Sequence, residues 1–134
     1  MAPPSRLTWS KPARAATLLA AACIASCAEH PLVPGEPRVV ERLVIAPYAM
    51  HEECAPLAAG ERLDYRYRSS APLDFDIHYR EGDAILSPVV REQSTNDAGI
   101  FEVPLARDYC LTWQAGPPGA IIGYRVLVRR MPRR

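Results

Sequence analysis

The sequence predicts an all-β domain, an antiparallel sandwich of about seven short strands behind a removable amino-terminal segment. Three observations predict it. Apolar and polar residues alternate strictly in several runs between residues 63 and 129, and no useful stretch repeats with a helical period. Turn-forming clusters punctuate those runs at intervals of about 10 residues. A basic stretch and an apolar run open the chain in the pattern of a secretory signal.

The opening segment comes first in the chain and reads as an address. Arg6, Lys11 and Arg14 precede the apolar run at residues 15–26, which ends ahead of Glu29, His30 and Pro31. A membrane-spanning helix needs about 20 apolar residues, so this run is expected to be cleaved and not kept as an anchor. Ile24-Ala25-Ser26-Cys27 resembles the bacterial lipobox, in which an aliphatic and two small residues fit a narrow peptidase cleft and the next Cys takes a diacylglyceryl group. The resemblance implies a lipoprotein signal peptide over 1–26 and lipid attachment at Cys27, with Ala20-Ala21-Ala22-Cys23 a weaker rival that would place the lipid on Cys23. The alternative is ordinary cleavage at an Ala-x-Ala site such as Ala20 to Ala22, with no lipid. Long acyl chains contribute about 0.8 kcal/mol per buried methylene, enough to hold a protein on a membrane. Ala28 in second position, by the sorting rule of enteric bacteria, points to the outer membrane, with the protein facing the periplasm.

Residues 27–38 carry Pro31, Pro34 and Pro37, a spacing that resists helix and strand. An extended tether with roughly 30 Å of reach is expected, at about 3 Å per residue. The folded domain is then 39–134.

Each strand rests on its own alternation. Leu63, Tyr65 and Tyr67 alternate with Asp64, Arg66 and Arg68, and Leu73, Phe75, Ile77 and Tyr79 with Asp74, Asp76, His78 and Arg80. The two runs, separated by Ser69-Ser70-Ala71-Pro72, are expected to form a hairpin with Arg66 and Arg68 facing Asp74 and Asp76. Segment 84–91 contains Pro88, which cannot donate to a ladder and marks an edge strand or bulge. Phe101, Val103 and Leu105 continue the pattern, followed by Tyr109, Leu111 and Trp113, and by Ile122, Tyr124, Val126 and Val128. Further turns are expected at Ala59-Gly60, Glu81-Gly82-Asp83, Ser94 to Gly99 and Gly116-Pro117-Pro118-Gly119. Tyr65, Tyr67, Phe75, Tyr79, Tyr109, Trp113 and Tyr124 all fall on the dry phase of their strands and are core candidates.

A domain this small buries only about 60% of its extended surface, which is marginal alone. In an oxidising compartment Cys54 and Cys110, the thiols left after processing, are expected to form a disulfide. Glu53-Cys54, the run Asp64-Tyr65-Arg66-Tyr67, Gly99-Ile100-Phe101, the run Asp108 to Trp113 and the aliphatic strand at 120–129 together resemble a GOLD-type, jelly-roll-like β-sandwich. That family is best known from secretory-pathway cargo receptors. The resemblance implies a noncatalytic interaction module in which the early Glu-Cys is bridged to the later Cys.

Candidate chemistry is sparse. His51, Glu52, Glu53 and His78 are the ligand types for zinc or copper, but no pair has a recognised spacing, so His51 and His78 read as a solvated polar face before they read as a metal site. Ser69, Ser70, Ser87 and Ser94 sit in turns or beside Pro88 without a nucleophile motif, and no Gly-rich phosphate loop exists, so neither an enzyme nor a cofactor is expected. Losing residues 1–27 leaves thirteen Arg against fifteen acids, a net charge of −2 that argues against nucleic acid. The Arg129 to Arg134 end is a basic patch for anionic lipid or an acidic partner, or else a solvated terminus. The reading is a cell-envelope lipoprotein that binds an unknown protein or small ligand. Two alternatives stand beside it, a periplasmic inhibitor or immunity-type protein using loop 93–99 or 115–120, and a metal-handling lipoprotein using His51 and His78.

Overall fold

In the computed structural model, which describes residues 30–132, six antiparallel strands follow one another with no helix among the described residues. They are β1 (Arg38–Ile45), β2 (Met50–Leu57), β3 (Arg62–Glu81), β4 (Ala84–Glu102), β5 (Arg107–Ala115) and β6 (Ala120–Arg129). The signal peptide, Cys23 and Cys27 lie outside the described residues.

The all-β, antiparallel expectation holds, but the strands are fewer and two of them are much longer. Residues 61–68 and 73–80 are not a hairpin; both belong to β3, whose 20 residues run through Ser69-Ser70-Ala71-Pro72 without reversing. The amino-terminal half of β3 pairs with β6, from Arg62 opposite Arg129 to Ser69 opposite Ile122. Its carboxy-terminal half pairs with β5, from Leu73 opposite Ala115 to Tyr79 opposite Tyr109. β4 follows β3 along both halves, and the register slips where Leu73 meets Ser94. One sheet is thereby folded over at the Ser69 to Pro72 corner. The first layer runs β1, β6, and one half each of β3 and β4; the second runs β2, β5 and their other halves.

Turn chemistry survives at that corner, where it bends strands instead of reversing them. Ser69 Oγ donates to the Ala71 carbonyl at 2.6 Å, and Gln93 takes a positive φ of 49° on the opposite strand. The expected loop from Ser94 to Gly99 is likewise inside β4. Arg66 and Arg68 cannot face Asp74 and Asp76, because all four share one strand; Asp74 accepts from the Gln93 backbone N–H at 2.9 Å and Asp76 lies 3.1 Å from His78. Strands that pass from one layer to the other through a bulge or bend are a known way of turning a sheet corner.

The dry phases of the two layers meet in one core. Tyr67 and Phe75, on either side of the corner, stand 4.8 Å apart between ring centroids, and Trp113 of the second layer stacks at 4.5 Å on Tyr124 of the first. Trp113, Tyr109, Leu63, Leu73, Ile77, Ile122 and Val126 are fully buried. The edge role predicted from Pro88 is carried by the whole of β4, which pairs with β3 alone.

The Pro-rich segment departs from an extended tether at its carboxy-terminal end. Leu32 joins the core, Gly35 N–H donates to the Val128 carbonyl at 2.8 Å, and Glu36 N–H closes a turn on Val33 at 3.0 Å. Between Cys27 and the packed Leu32 the chain spans at most about 17 Å, roughly half the expected reach. The Arg-rich end is partly engaged too, with Arg129 on Asp64 and Arg130 on Glu61.

Cys54 and Cys110 are directly opposed on β2 and β5 and form a disulfide with a Cα separation of 4.1 Å. Both lie on the outer face of the second layer, so the bond rivets an edge strand to its neighbour and leaves the core untouched. Replacing both by Ala is expected to lower stability by about 4 kcal/mol through the freed unfolded chain, with the circular dichroism of the folded state unchanged. Urea unfolding of the two forms measures it.

Candidate functional site

The alternation that places β2 on the second layer also turns two polar residues inward, since Ala55 and Leu57 bury the same face as His51 and Glu53. Glu53 is the buried charge of the domain, at the seam where β1 and β2, the outer strands of the two layers, meet without a shared ladder. Two groups donate to it and His51 stands behind one of them. Arg38 of β1 donates from Nη1 to both carboxylate oxygens, at 3.1 and 3.2 Å. Tyr124 of β6 donates to Oε1 at 2.6 Å. His51 Nε2 lies 2.8 Å from the Tyr124 oxygen and 3.9 Å from Glu53. The Tyr124 proton is committed to Glu53, so His51 is the donor to that hydroxyl through Nε2.

Burial alone would raise the Glu53 pKa; the neighbouring His51 ring, the Tyr124 hydroxyl and the Arg38 guanidinium outweigh it and hold the carboxyl below its ordinary 4.5. The same burial and the Glu53 carboxylate push the Tyr124 hydroxyl up. Arg38 also donates to the carbonyls of His30 and Pro31, which ties the amino-terminal segment to the seam. This cluster is structural. Each of its groups is already satisfied by another.

Ahead of His51 the chain makes the tip of the molecule. Ala49 N–H donates to the Ala46 carbonyl at 3.0 Å, closing a turn with Pro47 second and Tyr48 third. Tyr48 has φ 60°, the left-handed conformation that a type II turn requires at that position and that normally falls to Gly. Its side chain is nevertheless 68% exposed. The turn is braced by the neighbouring Gly116 to Gly119 turn, through Tyr48 N–H to the Gly116 carbonyl at 3.2 Å and Ala115 N–H to the Ala49 carbonyl at 2.9 Å. A Cβ on Gly119, itself at φ 69°, would lie 2.7 Å from the Ile45 carbonyl oxygen, so the two turns are in close contact. Pro47 and Tyr48 thus form a proline-stiffened aromatic projection; Val44 and Met50 on either side of the turn are exposed as well, on the outer phases of β1 and β2.

The structure separates the two histidines named as ligand candidates. His51 faces the core, stacked on Trp113 at 5.9 Å, whereas His78 is opposite Cys110 on the outer face of the same layer. Glu52, Cys54 and Cys110 gather within 4.8 Å, but both sulfurs are spent in the disulfide. Of the two loops considered for an inhibitor, 93–99 is strand and 115–120 is half of the tip. Tyr48 was not legible in the sequence. A Pro-Tyr pair between two strands signals a turn, but nothing local announces a positive φ on an aromatic residue.

No family model and no curated protein matches the chain. Among solved structures it is similar to PliG from Aeromonas hydrophila, a periplasmic lysozyme inhibitor of g-type lysozyme, with a TM-score of 0.53 and 12% identity over 73% of this chain and 96% of that one. A mutant of a family 29 carbohydrate-binding module aligns with a TM-score of 0.42 and 13% identity, over 75% of this chain and 86% of that one. The PliG likeness is one of fold.

Glu53 supplies the pH dependence of the seam. Its folded pKa is depressed, so its stabilising contribution is complete above 4.5 and is lost as the pH falls through the lower folded value. Glu53→Gln is expected to cost about 1–3 kcal/mol at neutral pH, where Arg38 loses its anion, and to flatten the acid limb of the stability curve. Urea midpoints for both proteins from neutral to acid pH test this.

Proposed function

We propose that this protein is a noncatalytic binding module of the bacterial cell envelope, held on the membrane by a lipid on Cys27, that engages a partner protein with the Tyr48 tip. The observation that carries the reading is Tyr48 itself, a large aromatic kept exposed in a conformation that costs about 1 kcal/mol or more for a residue other than Gly. Nothing in the fold requires that side chain, and stiff, apolar, aromatic projections are what protein-binding sites use as anchors. Preorganisation by the second turn lowers the entropy lost on binding. The GOLD resemblance and the shared fold with a lysozyme inhibitor both support a noncatalytic module.

The specific form favoured by the tip is inhibition of a cell-wall hydrolase, with Tyr48 entering a substrate cleft. Only one of the two loops first considered for this role reaches the tip, and it acts as the brace. In this reading the anchored segment joins the fold where Gly35 meets Val128, the opposite end of β6 from Ala120 and the tip, so the tip points away from the anchor.

Wild type is expected to slow the clearing of peptidoglycan by a g-type lysozyme, with Tyr48→Ala at least about tenfold weaker. Tyr48→Gly should lose the inhibition equally while gaining up to about 1 kcal/mol of stability, because the strained φ is relieved and the greater freedom of Gly in the unfolded chain offsets only part of that. Equal inhibition by wild type and Tyr48→Ala removes the tip from the reading. No inhibition by wild type at micromolar concentration removes the hydrolase form. Separately, Cys27→Ser is expected to move the protein from the membrane fraction to the soluble fraction, and Cys23→Ser to leave it in place.

A further inference from the structure

The outer face of the first layer carries a second feature, independent of the tip. Arg66 of β3 is directly opposite Arg125 of β6, and Arg68 follows two residues along β3 opposite Gly123. Arg42 of β1 completes the group on the wall of a concave groove of about 930 Å3 that these strands line together with β4. Like charges directly opposed across a ladder destabilise a sheet. Here the repulsion is not relieved, since Arg42, Arg66, Arg68 and Arg125 form no ion pair among the described residues. Elsewhere on the surface Arg62, Arg91, Arg129 and Arg130 each meet a carboxylate, whereas Arg80 and Arg107 stand singly without one among the described residues. Two acids stand on the groove wall, Glu41 and Asp97, and Asp97 is already engaged by Arg91 and by the Tyr65 hydroxyl.

We infer that this groove binds an acidic glycan, whose carboxylate, sulfate or phosphate groups supply the anions that the four arginines lack. Guanidinium groups pair with such anions in a bidentate fashion, and a concave basic wall concentrates the field on the ligand. Adjacent strands place cations about 5 Å apart, and alternate residues of one strand about 7 Å apart, spacings that match charges repeated along one flexible chain. Gly123 on the groove floor is spared a side chain because the β1 bulge lies against it, where a Cβ would stand 2.8 Å from the Glu41 carbonyl oxygen. Tyr67 and Tyr124, which border the groove, turn their hydroxyls inward to Ser94 and Glu53, so no aromatic platform faces outward for stacking. That disfavours a single-stranded nucleic acid, which depends on base stacking, and a neutral sugar, which is held on aromatic rings.

The test is calorimetric titration of the full chain in detergent with a heparin hexasaccharide, at low and high salt. Saturable, salt-sensitive binding is expected. It should weaken about tenfold or more in Arg66→Gln/Arg125→Gln and stay unchanged in Tyr48→Ala. Each single variant, Arg66→Gln or Arg125→Gln, should melt at the same temperature as wild type or higher, since it removes a repulsion. A lower melting temperature would assign the arginines to the fold and overturn the site. So would the absence of saturable binding, or binding that the double variant leaves intact. Equal affinity for oligothymidylate would overturn the glycan in favour of nucleic acid. Binding to phosphatidylglycerol vesicles without binding to the free hexasaccharide would assign the face to the membrane surface instead.

Discussion

A carboxylate buried between two strands that share no backbone ladder holds the two layers of this protein together at their open side. Glu53 on β2 accepts from Arg38 on β1 and from Tyr124 on β6, and so joins both layers through one side chain. Much else follows from that position. His51 is oriented by the Tyr124 oxygen and seals the tip end of the seam against Trp113. Arg38, once drawn inward by Glu53, offers its remaining N–H groups to the carbonyls of His30 and Pro31, which seats the amino-terminal segment on the fold. A buried charge is stabilising only when it is fully satisfied, and here three separate strands must be in register for that to happen. The cluster therefore specifies the arrangement of the layers as much as it stabilises it.

The opposite side needs no such device, because there the chain itself crosses between layers. β3 and β4 pass around the corner together, and their pairing on both sides of it closes that side with backbone hydrogen bonds. The cost is a long edge, since nothing pairs with the outer side of β4 among the described residues. Pro88, the bend at Gln93 and a charged Arg91-Glu92 pair interrupt it, the usual protections against edge-to-edge association. The disulfide guards the other edge of the second layer, fastening β2 to β5 near Glu53, so the strand that carries the buried carboxylate is held from both faces.

The surface divides between the tip and the groove. Both carry a local destabilising feature, a positive φ on Tyr48 and opposed arginines at Arg66 and Arg125, on an otherwise well-satisfied scaffold. Local conflict of this kind is expected where a residue serves a ligand and not the fold. The alternation places Arg66 and Arg125 on wet strand phases, and the expected hairpin sets Arg66, with Arg68, against Asp74 and Asp76. Their actual neighbours come from another strand, and no local pattern says which one.

What the sequence by itself determined is the phase of nearly every strand. Leu63, Tyr65, Tyr67, Phe75, Tyr109, Trp113, Tyr124 and Val126 are core residues as their alternation required, because a strand's two faces are set by its own period of two. It also pointed to the disulfide, since Cys54 and Cys110 are the two cysteines of the folded domain. Only the tertiary structure decided whether Ser69 to Pro72 reverses the chain or bends it, and so whether two segments make a hairpin or one crossing strand. Those residues have the chemistry for either, and the choice is made by pairing with β5 and β6, far along the chain. The same non-local pairing brings Arg38 to Glu53 and Arg66 to Arg125, which is why both the lock of the fold and its candidate groove lay outside what a linear pattern contains.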